Sequence, residues 1–115
     1  MAVIIYHNPR CSKSRQTLQM LRDRGIEPEI IEYLKTPPDA ATLKRLLGLL
    51  GLTPRELMRR KEKVYKALGL DDPSLSDEAL IQAMVDHPVL MERPVVVNGD
   101  RAALGRPPEQ VLEIL

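Results

Sequence analysis

The first 34 residues of the chain alternate in a strand–helix–strand pattern, which limits the folds open to it. The segment 2–6, AVIIY, is short, apolar and β-branched, as is typical of a buried strand. A helical pattern follows over 12–25, with Leu18 and Leu21 on one face, and 27–34 is a second strand candidate. Two strands joined through one helix are predicted to pair in parallel, with a right-handed crossover.

The rest of the chain predicts three helical stretches, a β-hairpin and a closing helix, over 36–51, 53–70, 71–88, 93–104 and 106–115. The second stretch is charged and is expected to break near Lys61, and Ser76 is the expected N-cap of the third. Asn98-Gly99 is the strongest two-residue hairpin signal. We therefore predict one α/β domain spanning 1–115, with a four-stranded mixed sheet and a helical lobe inserted at about 36–92.

The composition and charge of the chain argue against several classes of protein. Of the 115 residues, 43% are hydrophobic and 29% charged, which is typical of a globular domain. The net charge of +1 gives no support to nucleic-acid binding. No apolar run approaches the ~18 residues of a membrane span, and the start of the chain lacks the pattern of a secretory signal. With a single cysteine, these features predict a cytoplasmic protein.

The only cysteine, Cys11, lies in the stretch HNPRCSKS, where the first strand ends and the first helix begins. A free cysteine is often a small buried apolar residue. Here its neighbours are polar or charged, and backbone N–H groups of the first helical turn are expected to point at its sulfur. This position, exposed by topology, favours a reactive thiol over a packing residue.

A helix end alone does not make such a thiol reactive. An ordinary thiol, with a pKa of ~8.5, needs about 3 to 4 kcal/mol to become mostly thiolate at pH 7, and a helix N-terminus supplies ~0.3–1 kcal/mol. The rest of this free energy must come from other groups. The candidates are the Ser14 hydroxyl, the cation of Arg10 or Arg15, and an imidazolium at His7. The alternative for His7 is a structural histidine at a strand end.

Other cysteine chemistries do not fit the pattern. The chain has no second cysteine for an internal redox pair, and one cysteine with two histidines, at 7 and 87, falls short of a zinc site. A Cys-x5-Arg phosphate cradle requires arginine at 17, where the chain has Thr17. No metal and no bound cofactor is therefore predicted.

Three motifs resemble the glutaredoxin-dependent arsenate reductase family across essentially the whole chain. They are IYHNPRCSKSRQTL at 5–18, HPVLMERPVVV at 87–97 and GRPPEQVLEIL at 105–115. The resemblance implies a thioredoxin-like fold with a helical insertion. It also implies an oxidoreductase that reduces arsenate to arsenite through one nucleophilic cysteine. Glutathione as co-substrate and glutaredoxin as partner would supply the remaining thiols.

The resemblance assigns roles to individual residues. Cys11 would be the nucleophile, and His7 and Ser14 would promote its thiolate form. The residues implied to bind the oxyanion and shape the site are Arg59, Arg93, Arg106 and the cis-proline Pro94. Arginine suits this role, since its planar fork pairs with oxyanions by two hydrogen bonds. If the helix is rotated by one residue, Arg60 takes the place of Arg59.

Two other functions stay open at this stage. One is a glutathione-linked thiol oxidoreductase acting on a substrate other than arsenate. The other is a regulatory binding module of related fold that binds RNA polymerase. Regulators of that kind usually carry Cys-x-x-Cys as a redox switch, and Ser14 occupies the second position here.

Overall fold

The structure is a computed structural model, and it describes residues 2–115. Within that range the strands are β1 (Val3–His7), β2 (Glu29–Glu32), β3 (Val95–Asn98) and β4 (Arg101–Leu104). The α-helices are α1 (Ser12–Asp23), α2 (Ala40–Leu50), α3 (Pro54–Leu57), α4 (Lys63–Ala67) and α5 (Asp77–Asp86). Two 3-10 helices cover Pro88–Leu90 and Pro108–Ile114. The chain forms two compact units: one runs to Thr36 and resumes at Arg93–Leu115, and the other is Pro37–Glu92.

The first unit holds the predicted four-stranded mixed sheet, in the order β2-β1-β3-β4. Strand β1 pairs in parallel with β2, as the strand–helix–strand pattern predicts, and antiparallel with β3. Strand β3 in turn pairs antiparallel with β4. The carboxyl end of β1, the start of β3 and the end of β4 therefore lie at one edge of the sheet.

The hairpin forms one residue later than predicted. Asn98 is the last residue of β3 and pairs with Arg101, so the two-residue loop is Gly99-Asp100 rather than Asn98-Gly99. Asn98 Nδ2 donates to Ile114 O at 2.7 Å, which holds this residue in the strand. Gly99 adopts a φ of 65°, in the left-handed region that such turns require.

Helix α1 packs on the sheet through a stripe of four buried residues, Ser14, Thr17, Leu18 and Leu21. The core around this stripe comprises Val3, Ile5, Leu18, Leu21, Val96, Val111 and Ile114. Each fully buried aliphatic side chain of this kind stabilises the fold by ~1.5–3 kcal/mol. Two of the four stripe positions are polar, and the leucine pattern by itself does not predict their burial.

The closing segment is a 3-10 helix, where the sequence predicts a helix from 106. Pro107 has an extended ψ of 163°, and Gln110 N–H donates to Pro107 O, an i to i+3 bond. Because neither Pro107 nor Pro108 has an N–H, the first turn lacks the usual donors. The Arg93–Pro94 and Arg106–Pro107 peptide bonds are both cis.

The second unit, Pro37–Glu92, contains α2 to α5. Helix α2 begins four residues later than the start of the predicted stretch, because the Asp39 carboxylate accepts from Thr42 N–H at 2.8 Å and caps it. Helix α5 is capped by Ser76 as predicted, with Ser76 Oγ accepting from Ala79 N–H. The helices close on a core of Leu43, Leu46, Leu47, Leu57, Leu80, Ile81, Met84, Leu90 and Met91.

The predicted helix over 53–70 is broken, and the break begins before Lys61. Met58 is extended and forms an isolated antiparallel bridge with Met91. The next residue, Arg59, donates its N–H to Leu90 O at 2.7 Å. These backbone bonds replace helical ones and separate α3 from α4. Throughout residues 2–115, the helices are too short or too polar to cross a membrane.

Candidate active site

The Cys11 turn, residues 8–11, connects β1 to α1 and is closed by its own backbone and side chains. Cys11 N–H donates to Asn8 O at 3.0 Å, and Asn8 Oδ1 accepts from Arg10 N–H at 3.0 Å. Arg15 Nη1 donates to Pro9 O at 2.9 Å from the first turns of α1. The backbone N–H groups of Arg10 and Cys11 and the carbonyls of Asn8 and Pro9 are thus hydrogen-bonded, which holds the cysteine in one place relative to the helix.

Cys11 is the N-cap residue of α1, with an extended ψ of 124°, and its side chain makes no capping hydrogen bond. Its side chain is therefore not held by the first-turn N–H groups that the sequence predicts to point at it. The residue is 9% exposed, less than the open turn that its polar neighbours predict.

Ser14 and His7 form a buried pair behind this turn. Ser14 Oγ lies 2.7 Å from His7 Nδ1 and accepts the Asn8 N–H at 3.0 Å. Which of the two groups donates depends on which ring nitrogen of His7 carries the proton. Among residues 2–115 no hydrogen bond joins the Ser14 hydroxyl to the Cys11 sulfur, in contrast to the sequence expectation. The partners of Ser14 Oγ are His7 and the Asn8 N–H, so Ser14 acts on the cysteine through the turn.

The environment of His7 favours the neutral ring. Burial lowers the pKa of His7 below its usual 6.5; the nearby Glu32 carboxylate opposes this, and Arg22 and Arg15 add to it. A neutral His7 is consistent with its hydrogen bond to Ser14. A neutral ring differs from the charged imidazolium at His7 that the sequence suggested as one group stabilising the Cys11 thiolate.

The lowered pKa of His7 predicts a pH-dependent stability. The folded state binds the His7 proton less readily than the unfolded chain, so the unfolding free energy should decrease as pH falls below about 6.5. We expect urea unfolding to show a loss of stability between pH 7.5 and 5.5 that is smaller in His7→Gln. This range lies above the ordinary pKa values of Asp and Glu. An equal loss in both proteins would contradict the prediction.

Two of the predicted arginines lie at the same sheet edge as the Cys11 turn. Val95 of β3 pairs with Tyr6, near the end of β1, and with Leu104, at the end of β4. Arg93 precedes β3 and Arg106 follows β4, and Arg106 Nη1 donates to Arg93 O at 3.4 Å. The edge therefore carries the cysteine turn and two guanidinium groups.

Residues between Arg93 and Arg106 hold the two arginine-bearing segments together at this edge. Gly105 N–H donates to Pro94 O at 3.0 Å, which ties the segment before Arg106 to the segment after Arg93. Arg93 Nε and Nη1 are buried from solvent, whereas the Arg106 side chain is exposed. One arginine of the pair is thus embedded in the fold and the other is open to solvent.

Arg59, the third predicted arginine, belongs to the other unit. Its side chain is half-buried and forms ion pairs with Glu62 and with Glu92, the latter at 3.7 Å from Nε to Oε1. Arg60 is exposed at the surface of the same unit. Of these two adjacent arginines, Arg59 is the one with ion-pair partners inside its own unit.

The sequence did not single out two residues that build the site. Asn8 supplies three of the hydrogen bonds that close the Cys11 turn, and the Asn-Pro dipeptide, a common turn initiator, was the available signal. Gly105 allows Thr17 and Pro94 to approach each other, and no local pattern marks it. In the part of the chain that the structure describes, no group of three or more His, Cys, Asp or Glu side chains is arranged to hold a metal ion.

A single cysteine at the first strand–helix turn of a β2-β1-β3-β4 mixed sheet defines a thioredoxin-like protein with one thiol. Comparison with known proteins then specifies the family. A family model described as the ArsC family matches residues 6–114. The chain belongs to the ArsC family.

Relatives of similar length support this assignment. The chain is 66% identical over 114 residues to the uncharacterized protein YfgD of Escherichia coli strain K12, covering 98% of this chain and 96% of that protein. It is 51% identical over 112 residues to the arsenate reductase of Neisseria meningitidis serogroup B, covering 96% of each. The solved arsenate reductase from Vibrio cholerae superposes with a TM-score of 0.97 at 58% identity, covering 100% of this chain and 98% of that one.

Proposed function

We propose that this protein is an arsenate reductase in which Cys11 is the only sulfur nucleophile of the chain. The observation that carries the proposal is the sheet edge where the Cys11 turn, Arg93 and Arg106 lie together. A sulfur nucleophile at the same end of the sheet as two arginines suits attack on a tetrahedral oxyanion. Arsenate is favoured as that oxyanion because relatives named arsenate reductase are about 50% identical to this chain over nearly its full length.

In the proposed first step, the Cys11 thiolate attacks As(V) of arsenate. An As–S bond forms, one As–O bond breaks, and the oxygen leaves as water after protonation. Arg93 and Arg106 donate hydrogen bonds to the remaining oxygens and offset their charge as the sulfur approaches. Asn8 and Ser14 keep the turn in place, so that the sulfur need not be reoriented during the reaction.

The second and third steps use sulfur from outside the chain. Glutathione displaces a second oxygen as water and forms an As–S bond of its own. A glutaredoxin thiolate then attacks the glutathione sulfur, forming a disulfide and breaking the S–As bond. The electron pair of that bond stays on arsenic, which is reduced from As(V) to As(III). Water finally displaces Cys11, which releases arsenite and restores the thiolate. We place this reaction in the cytoplasm, where thiols stay reduced.

The direct test is a coupled assay. The purified protein with arsenate, glutathione, glutaredoxin, glutathione reductase and NADPH should oxidise NADPH in proportion to arsenite formed. Leaving out glutathione or glutaredoxin should stop the reaction. Turnover that needs neither would contradict the proposed thiol source. Turnover of glutathionylated thiols but not of arsenate would instead favour the glutathione-linked oxidoreductase.

The oxyanion role of the arginines gives a separate prediction. Arg93→Ala and Arg106→Ala should each raise the KM for arsenate by about 10- to 100-fold, since a hydrogen bond to a charged group contributes ~1.5–3 kcal/mol. We assign Arg59 to the same role from the sequence resemblance and expect a similar effect from Arg59→Ala. Arg60→Ala is the matched control and should keep the wild-type KM.

Steady-state kinetics at saturating glutathione measure these effects. If Arg60→Ala raised the KM for arsenate as much as Arg59→Ala, the choice between the two adjacent arginines would be wrong. If Arg93→Ala and Arg106→Ala left the KM unchanged, the oxyanion would bind elsewhere.

A further inference from the structure

The peptide group between Pro9 and Arg10, in the middle of the Cys11 turn, is held at both of its ends. Its N–H, from Arg10, donates to Asn8 Oδ1 at 3.0 Å, and its carbonyl, from Pro9, accepts from Arg15 Nη1 at 2.9 Å. The first of these bonds lies within the turn, whereas the second comes from helix α1. The Arg15 side chain therefore connects the middle of the turn to the helix.

Arg15 is bonded to the turn a second time, through its backbone. Its N–H donates to Cys11 O at 3.0 Å, which is the bond that opens α1. The backbone and the side chain of one residue thus bond the carbonyls of Cys11 and Pro9, on either side of Arg10. Because α1 is anchored in the core by its buried stripe, Arg15 fixes the turn relative to a rigid part of the fold.

The guanidinium of Arg15 also places a positive charge beside the turn. The side chain is exposed, and its bond to Pro9 O keeps the charge in this position. The charge acts on the residues behind the turn as well: burial is the largest cause that lowers the pKa of His7, and the cation of Arg15 adds to it. A positive charge that disfavours an imidazolium favours an anion, such as a thiolate.

Arg10, the other cation that the sequence offers beside the cysteine, lacks such a contact. Its backbone N–H is bonded to Asn8, but its exposed guanidinium forms no hydrogen bond or ion pair among residues 2–115. An exposed side chain without partners samples many rotamers, and solvent screens its charge. The charge of Arg10 is therefore not held in one place relative to the thiol.

We propose that Arg15 is a positioning residue for the Cys11 thiol, holding the turn through Pro9 and keeping a positive charge beside it. This inference rests on the proposed function, in which that thiol attacks arsenate, and it adds a residue to that site. The charge favours the thiolate form of the nucleophile, and the bond to Pro9 keeps the turn in one conformation for the attack.

The first test follows the alkylation of Cys11 by iodoacetamide, an uncharged reagent that needs no arsenate. Arg15→Ala should slow this reaction at neutral pH about fivefold, the size expected for losing one neighbouring charge in water. Arg15→Lys keeps the charge and should restore most of the rate. Arg10→Ala and the matched control Lys13→Ala, which removes an exposed cation from the first turn of α1, should react within about twofold of the wild type.

Circular dichroism and alkylation in concentrated urea, where all variants should react alike, show that the differences belong to the folded protein. If folded Arg15→Ala reacts as fast as the wild type, or if Arg10→Ala slows the reaction as much, the assignment of Arg15 is overturned. Alkylation of Arg15→Lys as slow as that of Arg15→Ala would overturn the role of its charge.

The coupled assay separates this positioning role from oxyanion binding. Arg15→Ala should lower turnover and leave the KM for arsenate as in the wild type, because Arg93 and Arg106 are the proposed ligands. A raised KM with unchanged turnover would make Arg15 a ligand of the oxyanion and overturn the positioning role. If the wild type does not reduce arsenate but Arg15→Ala still slows alkylation, the proposed function fails and the assignment of Arg15 stands.

Discussion

Cys11→Ser is expected to abolish arsenate reduction, lowering turnover by at least about 10³-fold. Cys11 is the only sulfur nucleophile that the chain contains, so no other residue can form the first As–S bond. Serine retains the size and the turn geometry, but its hydroxyl is a far weaker nucleophile at neutral pH. The effect should therefore appear in turnover while the fold is maintained.

The matched control is Ser12→Ala. Ser12 is exposed and follows Cys11 directly at the start of α1, so its substitution changes the same turn without removing the thiol. We expect this variant to reduce arsenate at the wild-type rate. The coupled assay and circular dichroism provide the measurements. Wild-type turnover by Cys11→Ser would show that Cys11 is not the nucleophile.

Gly105→Ala is expected to destabilise the fold strongly, because the added methyl group has no space. Its Cβ would lie 2.5 Å from Thr17 Oγ1 and 2.7 Å from Pro94 Cγ, closer than packed atoms approach. Thr17 is fully buried and its hydroxyl donates to Lys13 O at 2.8 Å, so the side chain cannot move aside without losing that bond. We expect a loss of about 1–3 kcal/mol in unfolding free energy.

Gly48→Ala is the matched control for this substitution. Gly48 lies in the middle of α2, and an added Cβ there would meet no atom within 4 Å. The same chemical change should therefore raise the unfolding free energy by roughly 0.5–1 kcal/mol through helix propensity. Urea denaturation of the two variants measures the contrast. Equal stability of Gly105→Ala and the wild type would mean that the helix and the Pro94 segment separate easily.

Much of the fold follows from local patterns. The β-branched run before the Cys11 turn and the leucines of α1 predict the parallel pair, since a strand–helix–strand segment has one favoured handedness. The capping residue of α5 was also predictable, because Ser76 satisfies N–H groups within the next turn. The predicted break near Lys61 lies within the observed break between α3 and α4, but its start at Met58 was not predictable, because a pairing with the distant Met91 sets it.

The residues of the Cys11 motif were predictable from the sequence, but their hydrogen bonds were not. Cys11, His7 and Ser14 lie within eight residues, so one motif suggests that they act together. That Ser14 bonds to His7 rather than to Cys11 was not predictable. Burial lowers the pKa of His7, and the extent of that burial depends on residues far along the chain.

By itself the sequence determined the order of strands and helices and the place of the lone cysteine at a strand–helix turn. Hydrophobic periodicity, capping and turn chemistry act over a few residues and can be read locally. Only the tertiary structure decided that β3 lies beside β1, which brings Arg93 and Arg106 to the edge of the sheet that carries the Cys11 turn. Strand neighbours and registers depend on contacts between residues some ninety positions apart, such as Tyr6 with Val95, which no local pattern specifies.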